Sequence, residues 1–165
     1  MASYSTLPSE LHHLVPSGDG RQPAEPLEDG SYVVAGRRAL IHLDQEGVID
    51  SGLWHEVQFA RWNADQKKLS IVWSQPDRAG ISGVTVTEDA ARLMEAITVR
   101  TERTILATRS FITSSGGRVS ATVRRRPDGG LFSVLVADGD VTPADIEKGE
   151  ELERTLRAEL GMEDD

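Results

Sequence analysis

The sequence contains no cysteine, few aromatic residues and no long apolar run. Without cysteine there is no disulfide, no thiolate metal site and no cysteine nucleophile. Aromatic residues are only 5% of the chain, so its three tryptophans are the largest apolar side chains available to a core. No run approaches the ~20 apolar residues that span a bilayer, and Met1–Glu10 lacks the basic-then-apolar pattern of a signal peptide. These absences predict a soluble, cytoplasmic protein without a membrane span.

Charge is unevenly distributed along the chain. The net charge is −9, yet residues 97–127 hold seven arginines and one acid, whereas residues 128–165 hold twelve acids and three basic residues. The overall excess of acid repels polyanions, so nucleic acid is not the expected partner. The basic stretch has three interpretations: the two blocks neutralise each other in the fold, a basic face is kept for an anionic partner, or the blocks are unrelated solvated faces.

Residues 1–29 differ in composition from the rest of the chain. Four of the seven prolines lie there, and apolar residues are few. Such a segment buries too little surface to offset the entropy of ordering it, so we predict a flexible arm over 1–29. Residues 30–162 are predicted to form a single α+β domain, followed by a frayed tail over 163–165.

The first part of the predicted domain, residues 30–108, alternates between apolar and polar residues as short strands do. Its clearest hairpin pairs Leu53–Trp62 with Leu69–Trp73 around a polar turn. The period then changes to that of a helix, with Thr87 as its cap and an end near residue 107.

The second part, residues 109–162, predicts another hairpin and a closing helix. The turn Pro127–Gly130 joins a proline, which fixes φ, to glycines, which accept positive φ. Thr142 and Pro143 fit the cap and the first position of a helix that ends before Gly161. The predicted architecture is therefore α+β: a curved antiparallel sheet or small barrel with a helix, then a β-hairpin and a C-terminal helix.

Several structural motifs carry a resemblance to a known family. They are Leu53–Val57, Ala60–Asn63, Leu69–Trp73, Gly117–Val119, Arg124–Arg126, Pro127–Gly130 and Leu152–Gly161. On these motifs the chain from Gly30 to Gly161 resembles uncharacterised bacterial proteins with a PH-like (pleckstrin-homology-like) half. The resemblance implies a strand-rich barrel closed by a helix, and it implies no catalytic residues.

Phosphoinositide binding is not expected from this resemblance. PH domains that bind inositol phosphates use basic residues on an early hairpin. The comparable turn here holds Gln45 and Glu46, with Asp44 and Asp50 nearby. Carboxylates at these positions repel a phosphate group.

No set of residues has the spacing of a catalytic site. No serine lies in a Gly-x-Ser-x-Gly context, so a serine hydrolase is not predicted. His42 and His55 could meet across neighbouring strands and bind a metal with Asp44 or Glu56, although partly exposed packing is the commoner role of a strand histidine. We predict a chain that is not an enzyme and has no metal or cofactor.

Two sets of residues are candidates for binding. Trp54, Trp62 and Trp73 are interpreted as core anchors, with a surface patch for a peptide or ligand as the alternative. Side chains alternate along a strand, so Arg124 and Arg126 point one way and Arg125 the other.

Arg118, Arg124 and Arg126 are therefore expected to line the outer face of one strand as an anion-binding strip. The leading functional prediction is nevertheless a non-enzymatic module that binds a protein or peptide partner, for which addition to a sheet edge is one route. An anionic ligand or nucleic acid along the three arginines is the alternative, and an enzyme with an unrecognised site is a further one.

Overall fold

The computed structural model describes residues 6–162 and confirms an α+β fold with three antiparallel sheets. The chain divides into two compact units, one ending at Glu102 and the next beginning at Arg103. This differs from the predicted single domain with parts that meet at residue 108. Within residues 6–162, no helix is long and apolar enough to cross a membrane. The predicted frayed tail over 163–165 and the first five residues of the predicted arm lie outside the described residues.

Over residues 6–102, the first unit contains seven strands in two antiparallel sheets, with orders β1-β2-β3-β4 and β5-β6-β7. Their bounds are β1 Ala24–Pro26, β2 Tyr32–Ala35, β3 Ala39–Asp44, β4 Gly47–Leu53, β5 Val57–Asn63, β6 Lys68–Trp73 and β7 Ile81–Val84. A β-bridge between Leu27 and Thr85 links the chain after β1 to the chain after β7. The predicted hairpin around the polar turn is confirmed as β5 and β6.

Helix α1, Ala91–Glu102, follows the seventh strand. The Asp89 carboxylate accepts a hydrogen bond from the Ala91 backbone N–H at 2.9 Å, which satisfies a free donor at the helix start. Leu93 and Ile97 of α1 pack with buried residues of both sheets in one core. The helix ends earlier than predicted because the β-branched residues that follow, including Ile105, favour the next strand.

Residues 6–29 pack against the first sheet, which differs from the predicted flexible arm. They form two 3₁₀ helices, Ser9–Leu14 and Asp19–Arg21, before β1. Leu7, Leu11 and Val15 are buried in a second core cluster. That cluster includes Val34 and Ile41, whereas their neighbours Val33 and Leu40 belong to the first core, so the sheet is buried on both faces.

A buried carboxylate holds this N-terminal segment in place. Asp19 is buried, and its carboxylate accepts hydrogen bonds from the backbone N–H of Arg37 at 3.3 Å and from its Nε at 3.0 Å. A guanidinium nitrogen of Arg37 also donates to the Ser17 carbonyl. Because buried charges need such partners, these bonds favour one fixed position for the segment on the sheet.

The second unit, described from residue 103 to residue 162, is a three-stranded sheet covered by one helix. Strands β8 Ile105–Ile112, β9 Arg118–Arg125 and β10 Leu131–Asp138 have the order β10-β9-β8, and helix α2 is Pro143–Glu159. The predicted second hairpin is confirmed as β9 and β10. The predicted cap is also confirmed, since Thr142 and Asp145 exchange side-chain to backbone hydrogen bonds of 3.2 and 2.8 Å. Ala121, Val123 and Leu156 form the buried core.

Candidate functional site

A shallow apolar groove lies between strand β5 and the start of helix α1. Residues 60–63 of β5 form one wall, and Ala91 and Met94 of α1 form the other. Trp62 and Met94 are half-buried and pack on the core below, whereas Ala91 is exposed at the groove surface. The groove therefore has an apolar floor that belongs to the folded core and an open side that faces solvent.

Strand β5 is an edge strand beside this groove. In the part of the chain that the structure describes, β6 is the one strand paired with it. The register places Ala60 opposite Ile71 and Trp62 opposite Leu69. Alternate backbone N–H and C=O groups of an edge strand point away from its neighbour, which makes the edge a template for a further strand.

The groove tryptophan is held in one position by a hydrogen bond. Trp62 Nε1 donates to Thr85 Oγ1 at 3.1 Å, and Thr85 is itself fully buried. Thr85 itself forms the β-bridge to Leu27, so the indole is anchored where the two sheets are linked. A fixed aromatic wall loses little side-chain entropy when a ligand binds.

The other two tryptophans belong to the core, which confirms their interpretation as anchors. Trp73 is 1% exposed and Trp54 is 6% exposed. Trp54 Nε1 donates to the Gly36 carbonyl at 3.0 Å. Of the three, only Trp62 lines the groove.

The charged side chain at the groove is that of Arg61, which lies on β5 at the rim of the groove. Arg61 is exposed, and its Cζ lies 4.8 Å from the centroid of the Phe59 ring. Side chains two residues apart share one face of a strand, so Phe59 and Arg61 lie on one side of β5 while Ala60 and Trp62 line the other. A basic rim beside an apolar floor favours an acidic residue next to an apolar one in the ligand.

The three predicted anion-binding arginines do not form an open strip. Arg118 and Arg126 are exposed, but Arg124 is only 3% exposed, and its Nε donates to Thr104 Oγ1 at 3.0 Å. The expectation that Arg124 lines an exposed face is therefore wrong. Its neighbours in register are Ile105 and Phe132, whose bulk flanks the side chain, and burial lowers the pKa of Arg124 to about 10.

The two exposed arginines, Arg118 and Arg126, are also far apart, and each lies near a different residue of β10. Arg118 lies opposite Asp138 in register, and the Arg126 guanidinium lies 4.6 Å from the centroid of the Phe132 ring. Eight residues separate them, and a strand rises ~3.3 Å per residue, so they are roughly 26 Å apart along it. One small anion cannot contact both.

The predicted strand histidine has a local hydrogen-bond partner. His42 Nε2 lies 3.0 Å from Ser31 Oγ, and that hydroxyl donates to Asp29 Oδ1 at 2.5 Å. The side-chain and backbone hydrogen bonds from Ser31 hold the pKa of Asp29 below its ordinary value. Ser31 is buried, and its hydroxyl donates a hydrogen bond to the Asp29 carboxylate. This cluster therefore stabilises a turn and presents no exposed nucleophile.

His55, the other half of the predicted metal pair, lies in the 3₁₀ turn Trp54–Glu56, not on a strand. Within the described residues, no group of three or more histidine, aspartate or glutamate side chains is placed to hold a metal ion.

The groove was not predictable from the sequence. Helical spacing correctly places Met94 near the core, but periodicity does not show that Ala91 and Met94 lie beside an unpaired strand edge. The chain matches no family model, and neither the curated proteins nor the solved structures contain a significant match to it.

Proposed function

We propose that the chain is a non-enzymatic interaction module whose first unit is a PH-like domain. The strand order supports this proposal. Four strands and then three form two antiparallel sheets, the Leu27–Thr85 bridge links their ends, and a helix packs on the shared core. These features support the strand-rich barrel closed by a helix that the resemblance implies, with its opening between β4 and β5.

The proposed ligand is an extended peptide of a partner protein that adds a strand to β5. The observation that carries this proposal is the apolar groove beside an edge at which the described part of the chain places no second strand. In strand addition, main-chain hydrogen bonds supply affinity, and contacts to alternate side chains supply specificity. We expect one apolar side chain of the peptide to pack between Trp62 and Met94, and an acidic side chain to meet Arg61.

Filling the groove is expected to block the peptide. Ala91 is exposed at the groove surface, so Ala91→Trp places an indole in the peptide's position without entering the core. The ligand for this test is a synthetic peptide selected against the full chain from a random-peptide display library. We expect Ala91→Trp to raise its Kd at least about tenfold, or ~1.4 kcal/mol, measured by isothermal titration calorimetry.

The matched control is Thr98→Trp, on the same helix. Thr98 is exposed, lies ~10 Å along the helix from Ala91 and does not line the groove. We expect this variant to bind like the wild type. An equal loss of affinity in both variants, or none in Ala91→Trp, contradicts the proposed site, and a display selection that yields no specific peptide contradicts the proposed function.

A further inference from the structure

The guanidinium group of Arg78 contacts an aromatic ring and two carboxylates near the end of strand β6, away from the residues that line the groove. Arg78 lies in the loop between β6 and β7, and its Cζ is 3.9 Å from the centroid of the Trp73 ring. Its Nη2 donates to Asp50 Oδ1 and to the Ser51 carbonyl, both at 2.7 Å. Its Nη1 lies 3.9 Å from Glu56 Oε1. An aromatic face, two carboxylates and a carbonyl are the groups that recognise the planar guanidinium fork.

The walls of this site are held by contacts that do not involve Arg78. Asp50 lies on β4, in register with His42 of β3. The second carboxylate oxygen of Glu56 accepts the Leu53 backbone N–H at 2.7 Å. The Trp73 ring is so close to Gly52 that a Cβ there would come within 2.4 Å of it. The site is therefore built by the sheets and is expected to persist without Arg78.

The occupant of the site, in contrast, is a side chain on a surface loop. The side chains of Arg78, Asp50 and Glu56 are 23%, 30% and 36% exposed, so the site opens to solvent. Two carboxylates face one guanidinium, which leaves a net charge of −1 among these three groups. An intramolecular ligand of this kind competes with any external ligand of the same chemistry.

We infer that Asp50, Glu56 and Trp73 form a binding site for a guanidinium group, which the chain fills with Arg78 and which an arginine side chain of a partner protein occupies in its place. This inference goes beyond the proposed function and does not depend on the β5 groove. Because Arg78 occupies the site, the apparent affinity for the partner arginine equals the intrinsic affinity multiplied by the fraction of molecules in which the site is vacant. Displacing Arg78 frees the 74–80 loop, so binding and loop release are coupled.

The first test removes the internal ligand. Arg78→Met keeps much of the apolar stem and removes the guanidinium. With methylguanidinium as the probe, we expect saturable binding to Arg78→Met, at least about tenfold tighter than to the wild type, followed by the NMR signal of the Trp73 indole N–H. Methylammonium is expected to bind more weakly because it lacks the planar fork. Adding Asp50→Asn to Arg78→Met is expected to abolish the binding.

The second test asks whether an arginine displaces Arg78 in the wild-type chain. N-acetylarginine methylamide at millimolar concentration is expected to shift the backbone amides of residues 74–80, and N-acetyllysine methylamide is expected to shift them less. No saturable methylguanidinium binding by Arg78→Met, or equal binding of methylammonium, overturns the site. If N-acetylarginine methylamide does not shift the amides of residues 74–80 in the wild type, the proposal that a partner arginine displaces Arg78 is overturned. If Arg78→Met does not fold, Arg78→Gln serves in its place. None of these outcomes depends on whether a peptide binds at β5.

Discussion

Replacing Trp73 by alanine is expected to lower the free energy of unfolding of the first unit by about 3–5 kcal/mol. Trp73 is 1% exposed and packs in the core that both sheets share with α1. One edge of its ring is closed by Gly52 and one face by the Arg78 guanidinium, so the surrounding structure has little freedom to fill the cavity. Urea unfolding followed by circular dichroism measures the loss.

Val72→Ala is the matched control for this change. Val72 is the preceding residue on β6, and its side chain is 36% exposed on the opposite face. Its loss is expected to cost under about 1 kcal/mol. Trp73→Phe is expected to cost less than Trp73→Ala, because it leaves a smaller cavity and, within residues 6–162, the buried Trp73 Nε1 has no hydrogen-bond acceptor whose loss would add to the cost. A cost below about 1 kcal/mol for Trp73→Ala would contradict this description of the core.

Replacing Gly149 by leucine is expected to destabilise the second unit by about 3 kcal/mol or more. Gly149 is buried in the middle of α2, where a Cβ would come within 2.5 Å of Val119 Cγ1 and 3.2 Å of a Leu135 methyl carbon. Val119 is completely buried in its strand, so the larger side chain must push the helix away from the sheet. Leu156 of α2 belongs to the small buried core of this unit, so moving the helix away from the sheet also exposes that core.

The control is Glu150→Leu, at the next residue of the helix. Glu150 is exposed, so the same side chain is expected to change stability by less than about 0.5 kcal/mol. Thermal unfolding and the dispersion of amide NMR signals from residues 103–162 distinguish the two variants. Equal stability of both would show that α2 does not pack on the sheet through Gly149.

Elements with a clear local pattern were predictable from the sequence. The β5–β6 hairpin follows from two strand-like apolar segments around a polar turn, and β9–β10 follows from strand-like segments around Pro127–Gly130. The start of α2 follows from the Thr142, Pro143 and Asp145 capping pattern. In each case the signal lies within a few residues of the element that it specifies.

Packing between distant segments was not predictable in the same way. Leu7, Leu11 and Val15 lie in short 3₁₀ and irregular backbone, where no helix or strand period marks the buried side chains. Their burial depends on the second face of a sheet formed later in the chain. Arg124 shows the same limit: alternation gives the side of the strand, but its exposure depends on Ile105 and Phe132 in the neighbouring strands.

The two candidate sites depend on such distant packing as well. The groove needs α1 to lie beside β5, and the guanidinium site joins Asp50, Glu56, Trp73 and Arg78 from different elements. None of these residues forms a short motif, and sequence spacing does not show that they meet.

Backbone amide hydrogen exchange along β5 tests the peptide-binding proposal most directly. The proposal predicts that a selected peptide slows exchange at alternate residues of 59–63, because their outward N–H groups become hydrogen-bonded to the added strand. It also predicts that N-methylation of alternate peptide residues abolishes binding, since those residues lose the N–H that pairs with β5. Unchanged exchange along β5, with protection confined to another surface, would contradict strand addition at this edge.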